Sequence, residues 1–221
     1  MELTEVMRTT FACRDWTDEP VDDATLHQIL DSARFAPTGG NRQGCHVIVV
    51  KDPAQRAALV PLIQEPMNIY WHQRAAGEAP WNTIEPSSID DAEAGADPVD
   101  HMGCANYMNA PVVLVIAVDL SVVASFDSKL DRVGVISGAS VYPLVWNILL
   151  GARNAGLGGV LTTGIATNEA QVQEILGLPS HFAAAALLPI GHPVKQLTKL
   201  TRRGVDDFVT VDRFDGKAFT S

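Results

Sequence analysis

The segment Arg34 to His46, RFAPTGGNRQGCH, gathers the side chains best suited to holding a flat polar ligand. Gly39 and Gly40 let the backbone approach a planar ring closely. Thr38, Asn41 and Gln43 offer donors and acceptors that can read the edge of a heterocycle. Pro37 stands between this loop and the helical pattern before it. A helix-to-strand turn would use Thr-Gly-Gly-Asn equally well, but it has no need of Gln43.

Cations form the second candidate set. The chain has 16 Lys and Arg against 26 Asp and Glu, so the clustering of Lys199, Arg202 and Arg203 in the tail points to an anion site. Arg14 presents a fork of donors, although alone it suits a surface ion pair with Asp15 or Asp18 equally well. Leu161, Thr162, Thr163 and Gly164 close a short strand before a helix, a place for either a ligand-facing backbone or a plain loop.

Other chemistries find little support. His101 and Cys104 are a possible ligand pair, but no second pair accompanies them, so no metal is expected. The six histidines are scattered and none is assigned to catalysis. There is no nucleophile elbow, Walker loop or GxGxxG. Gly156-Leu-Gly-Gly159 precedes a strand, where the dinucleotide fingerprint would follow one.

These residues need a scaffold, and 221 residues with 47% hydrophobic and 19% charged side chains suffice for one globular domain, 1–221. A net charge of −10 argues against nucleic acid and against a membrane-surface role. The apolar runs Pro111–Val118 and Val141–Leu150 are too short to span a bilayer, and no signal peptide is visible. Three cysteines, an odd number, suggest reduced thiols and a cytoplasmic location.

Along the chain, Asp22 or Asp23 caps a helix carrying Leu26, Ile29, Leu30 and Ala33. His46–Val50 reads as a buried strand, and Pro53–Leu62 as a helix with proline in its first turn. Residues from about Gln64 to Asn106, rich in Pro, Asp, Glu and Ala, read as a long excursion that acts as a lid. Pro111–Val118 is a second buried strand. Val135–Ala155 is apolar on nearly every face and predicts a long central helix, shared with a partner subunit. Then come a strand at Val160–Thr163, a helix at Asn168–Leu176 capped by Thr167, a strand at Ala183–Ile190, and an extended arm from about 195 to 221.

The Pro37–Gln43 loop matches the AP(S/T)GGNxQ signature of the FMN-dependent nitroreductase family, and the chain resembles that family nearly end to end. Arg14-Asp-Trp-Thr-Asp-Glu-Pro-Val21 is similar to its RxFxxxPV segment, Ile148–Gly159 to its NLLLAAxxxGLG segment, and Lys199–Arg203 to its basic phosphate-binding stretch. The resemblance implies an α+β three-layer sandwich, with a central mixed, mainly antiparallel sheet, in an interlocked homodimer. It implies bound FMN, NAD(P)H as co-substrate and a quinone, nitroaromatic or activated alkene as acceptor, with ping-pong kinetics and no catalytic side chain, since the cofactor carries the chemistry.

By the same resemblance, Pro37, Thr38, Gly39, Gly40, Asn41 and Gln43 line the flavin, some of them from the partner. Leu161, Thr162, Thr163 and Gly164 lie over its reactive face, with an amide of Thr163 or Gly164 bonding the ring. Arg14, Lys199, Arg202 and Arg203 serve the phosphate or the ring edge, and Tyr70, Trp71 and Trp81 stack on the acceptor or nicotinamide. Where the family reads RRSxR this chain has Thr10-Phe-Ala-Cys-Arg14, which leaves Arg8, one turn away, as a compensating cation. Two alternatives stay open: a specialised enzyme of the same fold (a reductive dehalogenase, a flavin-destroying or a ring-oxidising enzyme), and a flavin carrier or sensor without turnover.

Overall fold

A computed structural model describes residues 1–99 and 104–220. At its centre is a sheet of four strands, β1 (Cys45–Val49), β2 (Val112–Asp119), β3 (Gly158–Gly159) and β4 (Phe182–Gly191), in the order β1-β2-β4-β3. All three pairings are antiparallel, and a single parallel bridge joins Ala12 to Gly159.

β2 is buried along nearly its whole length, which explains its uninterrupted apolar sequence. Val112, Leu114, Ile116 and Val118 face one core and Val113 and Val115 face the other, as the two-residue period of a strand requires. The β2–β4 register slips between Ile116 and Ala117, leaving Ala185 of β4 unpaired. That slip turns Ala184 and Leu187 to the same face.

The first core packs α2 (Asp23–Ala33) and α6 (Tyr142–Asn154) on the sheet through Leu26, Ile29, Val145 and Ile148. The second packs α3 (Pro53–Ala75), α5 (Cys104–Asn109) and α7 (Glu169–Leu176) through Leu59, Ile63, Tyr107 and Val172. This is the expected helix–sheet–helix sandwich. Two short helices, α1 (Leu3–Thr9) and α4 (Asp91–Ala96), complete the chain's α-helices beside α2, α3, α5, α6 and α7 among the described residues, and neither is among the expected elements.

Several boundaries differ from the sequence expectations. The helix expected to end at Leu62 runs on to Ala75, through Pro61 and Pro66. Each internal proline costs about 3 kcal/mol. Burial of Leu59, Ile63, Pro66, Ile69 and Gln73 along one face offsets it. The first part of the expected lid is therefore core helix. The helix expected from Val135 begins at Tyr142, with Pro143 in its first turn; a 3-10 turn, Ser137–Ser140, precedes it, and Val135 is exposed.

The Val160–Thr163 strand reduces to Gly158–Gly159 plus a two-bond bridge between Thr162 and Leu187. Asn168, not Thr167, stands at the N-cap of α7, and its side-chain amide donates instead to the Leu62 carbonyl and to Glu65. β1, expected to be buried, is an edge strand and half-buried.

Candidate active site

A cleft of about 700 Å³ opens between the second helical layer and the loop after β3. One wall is the turn Leu161–Gly164. Thr162 is pinned there by paired hydrogen bonds with Leu187, of 3.0 and 2.8 Å. The amides of Thr163 and Gly164 make no hydrogen bond among the described residues, so this turn carries two uncommitted donors in the lining of the cleft.

A second part of the lining is the α3 face carrying Pro66, Met67, Tyr70, Trp71 and Arg74, continued by Pro80 and Trp81. Tyr70 and Trp71 meet edge to face at 5.7 Å, and the Arg74 guanidinium lies 4.9 Å from the Trp71 ring centre. Trp81 holds a left-handed backbone, φ 55°, which costs a non-glycine residue about 1–2 kcal/mol. The buried Gln73 helps to hold it by accepting from the Trp81 amide at 2.9 Å. Strain of this kind concentrates at ligand sites.

Arg14 enters the cleft beside Tyr107. Its carbonyl accepts from Asn106 at 2.6 Å and its guanidinium donates to the Ala12 carbonyl at 3.3 Å. Burial pushes the Tyr107 hydroxyl above its ordinary value, and the adjacent Arg14 opposes that rise. Trp16 packs edge-on against Tyr107 at 6.4 Å and donates to the Gly158 carbonyl at 2.8 Å.

The Pro37–Gln43 loop lies elsewhere in the same chain. Thr38 and Gln43 line a smaller, largely apolar cavity of about 280 Å³ with Leu30, Cys45 and Leu144. Gly40, Asn41 and Gln43 all have positive φ, at 61°, 53° and 50°. The loop is held by bonds from Gly39 N to Ser140 Oγ (3.1 Å), Gln43 N to Thr38 Oγ1 (3.0 Å) and Arg42 to the Val122 carbonyl (3.1 Å). Two non-glycine candidates in strained geometry, separated only by Arg42, exceed what a plain turn demands.

The expected cation cluster divides. Lys199 and Arg202 line a third cavity, of about 510 Å³, and the cation that joins them there is Arg8 rather than Arg14. Arg203 instead sits 5.9 Å from the centre of the Phe208 ring. Thr10 cannot replace the missing basic position, because it is buried and its hydroxyl donates to the Val6 carbonyl at 2.7 Å. Arg74 and Tyr107 escaped the sequence reading. The spacing of Arg74 three residues after Trp71 was the available signal for it.

Among the described residues no group of three or more His, Cys, Asp or Glu could hold a metal; His101 lies outside them. No described helix is long and apolar enough to cross a membrane. Tyr142 and Trp146, one turn apart on α6, are 42% and 45% exposed, and Phe35, Phe126 and Phe214 are also open.

The model of the family described as "Nitroreductase family" matches residues 7–192. The chain is 31% identical over 183 residues to a protein of Thermus thermophilus named NADH dehydrogenase, covering 83% of this chain and 82% of that one. It is 29% identical over 194 residues to the FMN reductase [NAD(P)H] of Bacillus subtilis, covering 86% of this chain and 65% of that one. The solved structure of the NADPH:FMN oxidoreductase from Vibrio harveyi, complexed with NAD+, superposes with a TM-score of 0.67 at 21% identity, over 96% of this chain and 78% of that one.

Proposed function

The chain belongs to the nitroreductase family, and with that as premise we propose how an FMN-dependent NAD(P)H oxidoreductase is built from it. The observation that carries the proposal is the cleft: one part of its lining offers two uncommitted amides, another is aromatic, and its volume suits a drug-sized ligand. A flat polar ring fits such a lining, its edge accepting from Thr163 or Gly164. Bound there, FMN supplies the capacity to take a hydride from a nicotinamide and pass it to an acceptor.

The protein's own part is positioning. Leu161–Gly164 orient the ring, and Tyr70, Trp71 and Trp81 wall the remaining space, where nicotinamide and acceptor bind in turn. That sharing gives ping-pong kinetics, with quinones, nitroaromatics or activated alkenes as acceptors. Arg14 serves the ring edge, while Arg8, Lys199 and Arg202 form the phosphate's anion site.

The Pro37–Gln43 loop opens on a different cavity of the same chain, so a second copy brings it to the cleft. Two observations support that homodimer: the exposed Tyr142–Trp146 face of α6, and a loop that holds strained geometry away from the cleft of its own chain. The test is direct. Purified protein is yellow and releases about one FMN per chain on denaturation; protein that stays colourless after incubation with excess FMN refutes the reading.

A further inference from the structure

The charge of the cleft runs against that of the protein. The chain carries 26 acidic against 16 basic residues, yet among the described residues no carboxylate lines the cleft and two guanidiniums, those of Arg14 and Arg74, do. Arg14 is tied to the Ala12 carbonyl and flanks Tyr107. Arg74 makes no ion pair and donates no hydrogen bond among the described residues; its one described partner is the Trp71 ring.

The acid best placed by sequence to neutralise Arg74 is Glu78, four residues on. Its oxygens are already taken by the Ser87 hydroxyl at 2.6 Å and by the Ser88 amide and hydroxyl at 2.8 and 2.6 Å. Gly77, with φ 81°, turns the chain between the two. The Arg74 guanidinium thus lies against an aromatic ring at the cleft wall, without an acidic partner or hydrogen-bond acceptor among the described residues, and with aromatic side chains beside it. A guanidinium so presented matches a planar oxyanion bidentately.

We propose that Arg74 is an anion anchor that selects the acceptor: the preferred acceptors are flat aromatic molecules carrying a carboxylate. The ring stacks among Tyr70, Trp71 and Trp81, and the carboxylate forks onto Arg74. This rests on the cleft being the acceptor's site, and it adds a chemical class that the cleft's shape alone does not specify.

The test uses the flavin-loaded enzyme and two ligands of one shape that differ in charge, 2-naphthoate and 2-naphthamide, neither of them reducible. Calorimetric titration shows naphthoate binding about tenfold to a hundredfold more tightly, and Arg74→Gln brings it to the level of naphthamide while leaving naphthamide unchanged. In turnover, the same variant lowers kcat/KM for 4-nitrobenzoate and spares 4-nitrobenzamide. Equal binding of the two ligands, or a preference that survives Arg74→Gln or is erased by Arg14→Gln instead, overturns the assignment while leaving the cleft as the acceptor site. A variant that loses affinity for NADPH but not NADH, with naphthoate unaffected, assigns Arg74 to the nicotinamide's phosphate and overturns it too. Failure of both ligands to bind refutes the cleft reading itself, and the inference with it.

Discussion

The side-chain amide of Gln196 donates to the Thr9 carbonyl at 3.1 Å, and this bond lays the start of the basic tail against the end of α1. Arg8, in the last turn of α1, thereby comes to line one cavity with Lys199 and Arg202. A charge-assisted hydrogen bond contributes about 1.5–3 kcal/mol. Arg8→Ala and Arg202→Ala should each weaken FMN binding by about that amount, read by titrating apoprotein with FMN and following flavin fluorescence. Arg203→Ala should change it little, because that guanidinium lies over Phe208. Unchanged affinity in both Arg8→Ala and Arg202→Ala would move the phosphate elsewhere.

The α6 face predicts the assembly. Tyr142 and Trp146 leave a large aromatic surface uncovered in a single chain, of the kind obligate interfaces bury. Light scattering should give a mass about twice the 23.7 kDa of one chain. Trp146→Asp should halve it and release the flavin. A wild-type mass near that of one chain, with flavin retained, is incompatible with a site shared between copies.

What was legible in the sequence was whatever local pattern dictates. The unbroken run of β2 gave a buried central strand, and Asp22, Leu26 and Ile29 gave α2 with its cap, where Asp22 accepts from Thr25 at 2.7 Å. Pro143 marks the start of α6 better than the apolar pattern that began at Val135. The length of α3 was hidden because Pro61 and Pro66 read as breakers, and only tertiary burial of Ile63 and Ile69 overrides them. The candidate residues were largely visible as types, but not their division among three cavities, which depends on where distant segments pack. Arg8 and Arg14 are six positions apart and serve different cavities.

Asp127 predicts an acid-sensitive step. Its side chain is only 4% exposed, and it accepts from Ser125, Arg132 and the amides of Val135 and Ile136, at 2.7–3.3 Å. The Val135 amide leads the causes that hold its carboxyl well down, at about 2 against an ordinary 3.8. A carboxyl lowered in the folded state stabilises fully above the ordinary value and loses that contribution as pH falls through the folded one. Asp127→Asn should lower Tm by several degrees at neutral pH, and the gap from wild type should close between about pH 4 and pH 2. A gap that stays constant through that window would show that the charge of Asp127 does not hold the loop.

The stretch left to act as a lid is shorter than the sequence suggested. Residues 64–75 belong to α3 and contribute Ile69 and Gln73 to the interior, so removing them would unfold the second core rather than open a gate. What remains before α4 is the stretch after Gly77, which carries Pro80 and Trp81 to the cleft. Trp81 keeps its strained φ while Gln73 accepts from its amide, and Glu78 closes the far side through Ser87 and Ser88. Replacing residues 79–88 with a short Gly-Ser link leaves α3, Gln73 and the Asp90 cap of α4 in place. That change should preserve flavin content and shift the ratio of kcat/KM between large aromatic and small acceptors, because an edge or face contact with Trp81 contributes about 0.5–1.5 kcal/mol, up to roughly tenfold. The measurement is a panel of acceptors at saturating NAD(P)H, with flavin content read by absorbance on the same samples. If every acceptor keeps its kcat/KM and the flavin stays bound, Trp81 is not part of a lid and its strain serves only the packing of the loop.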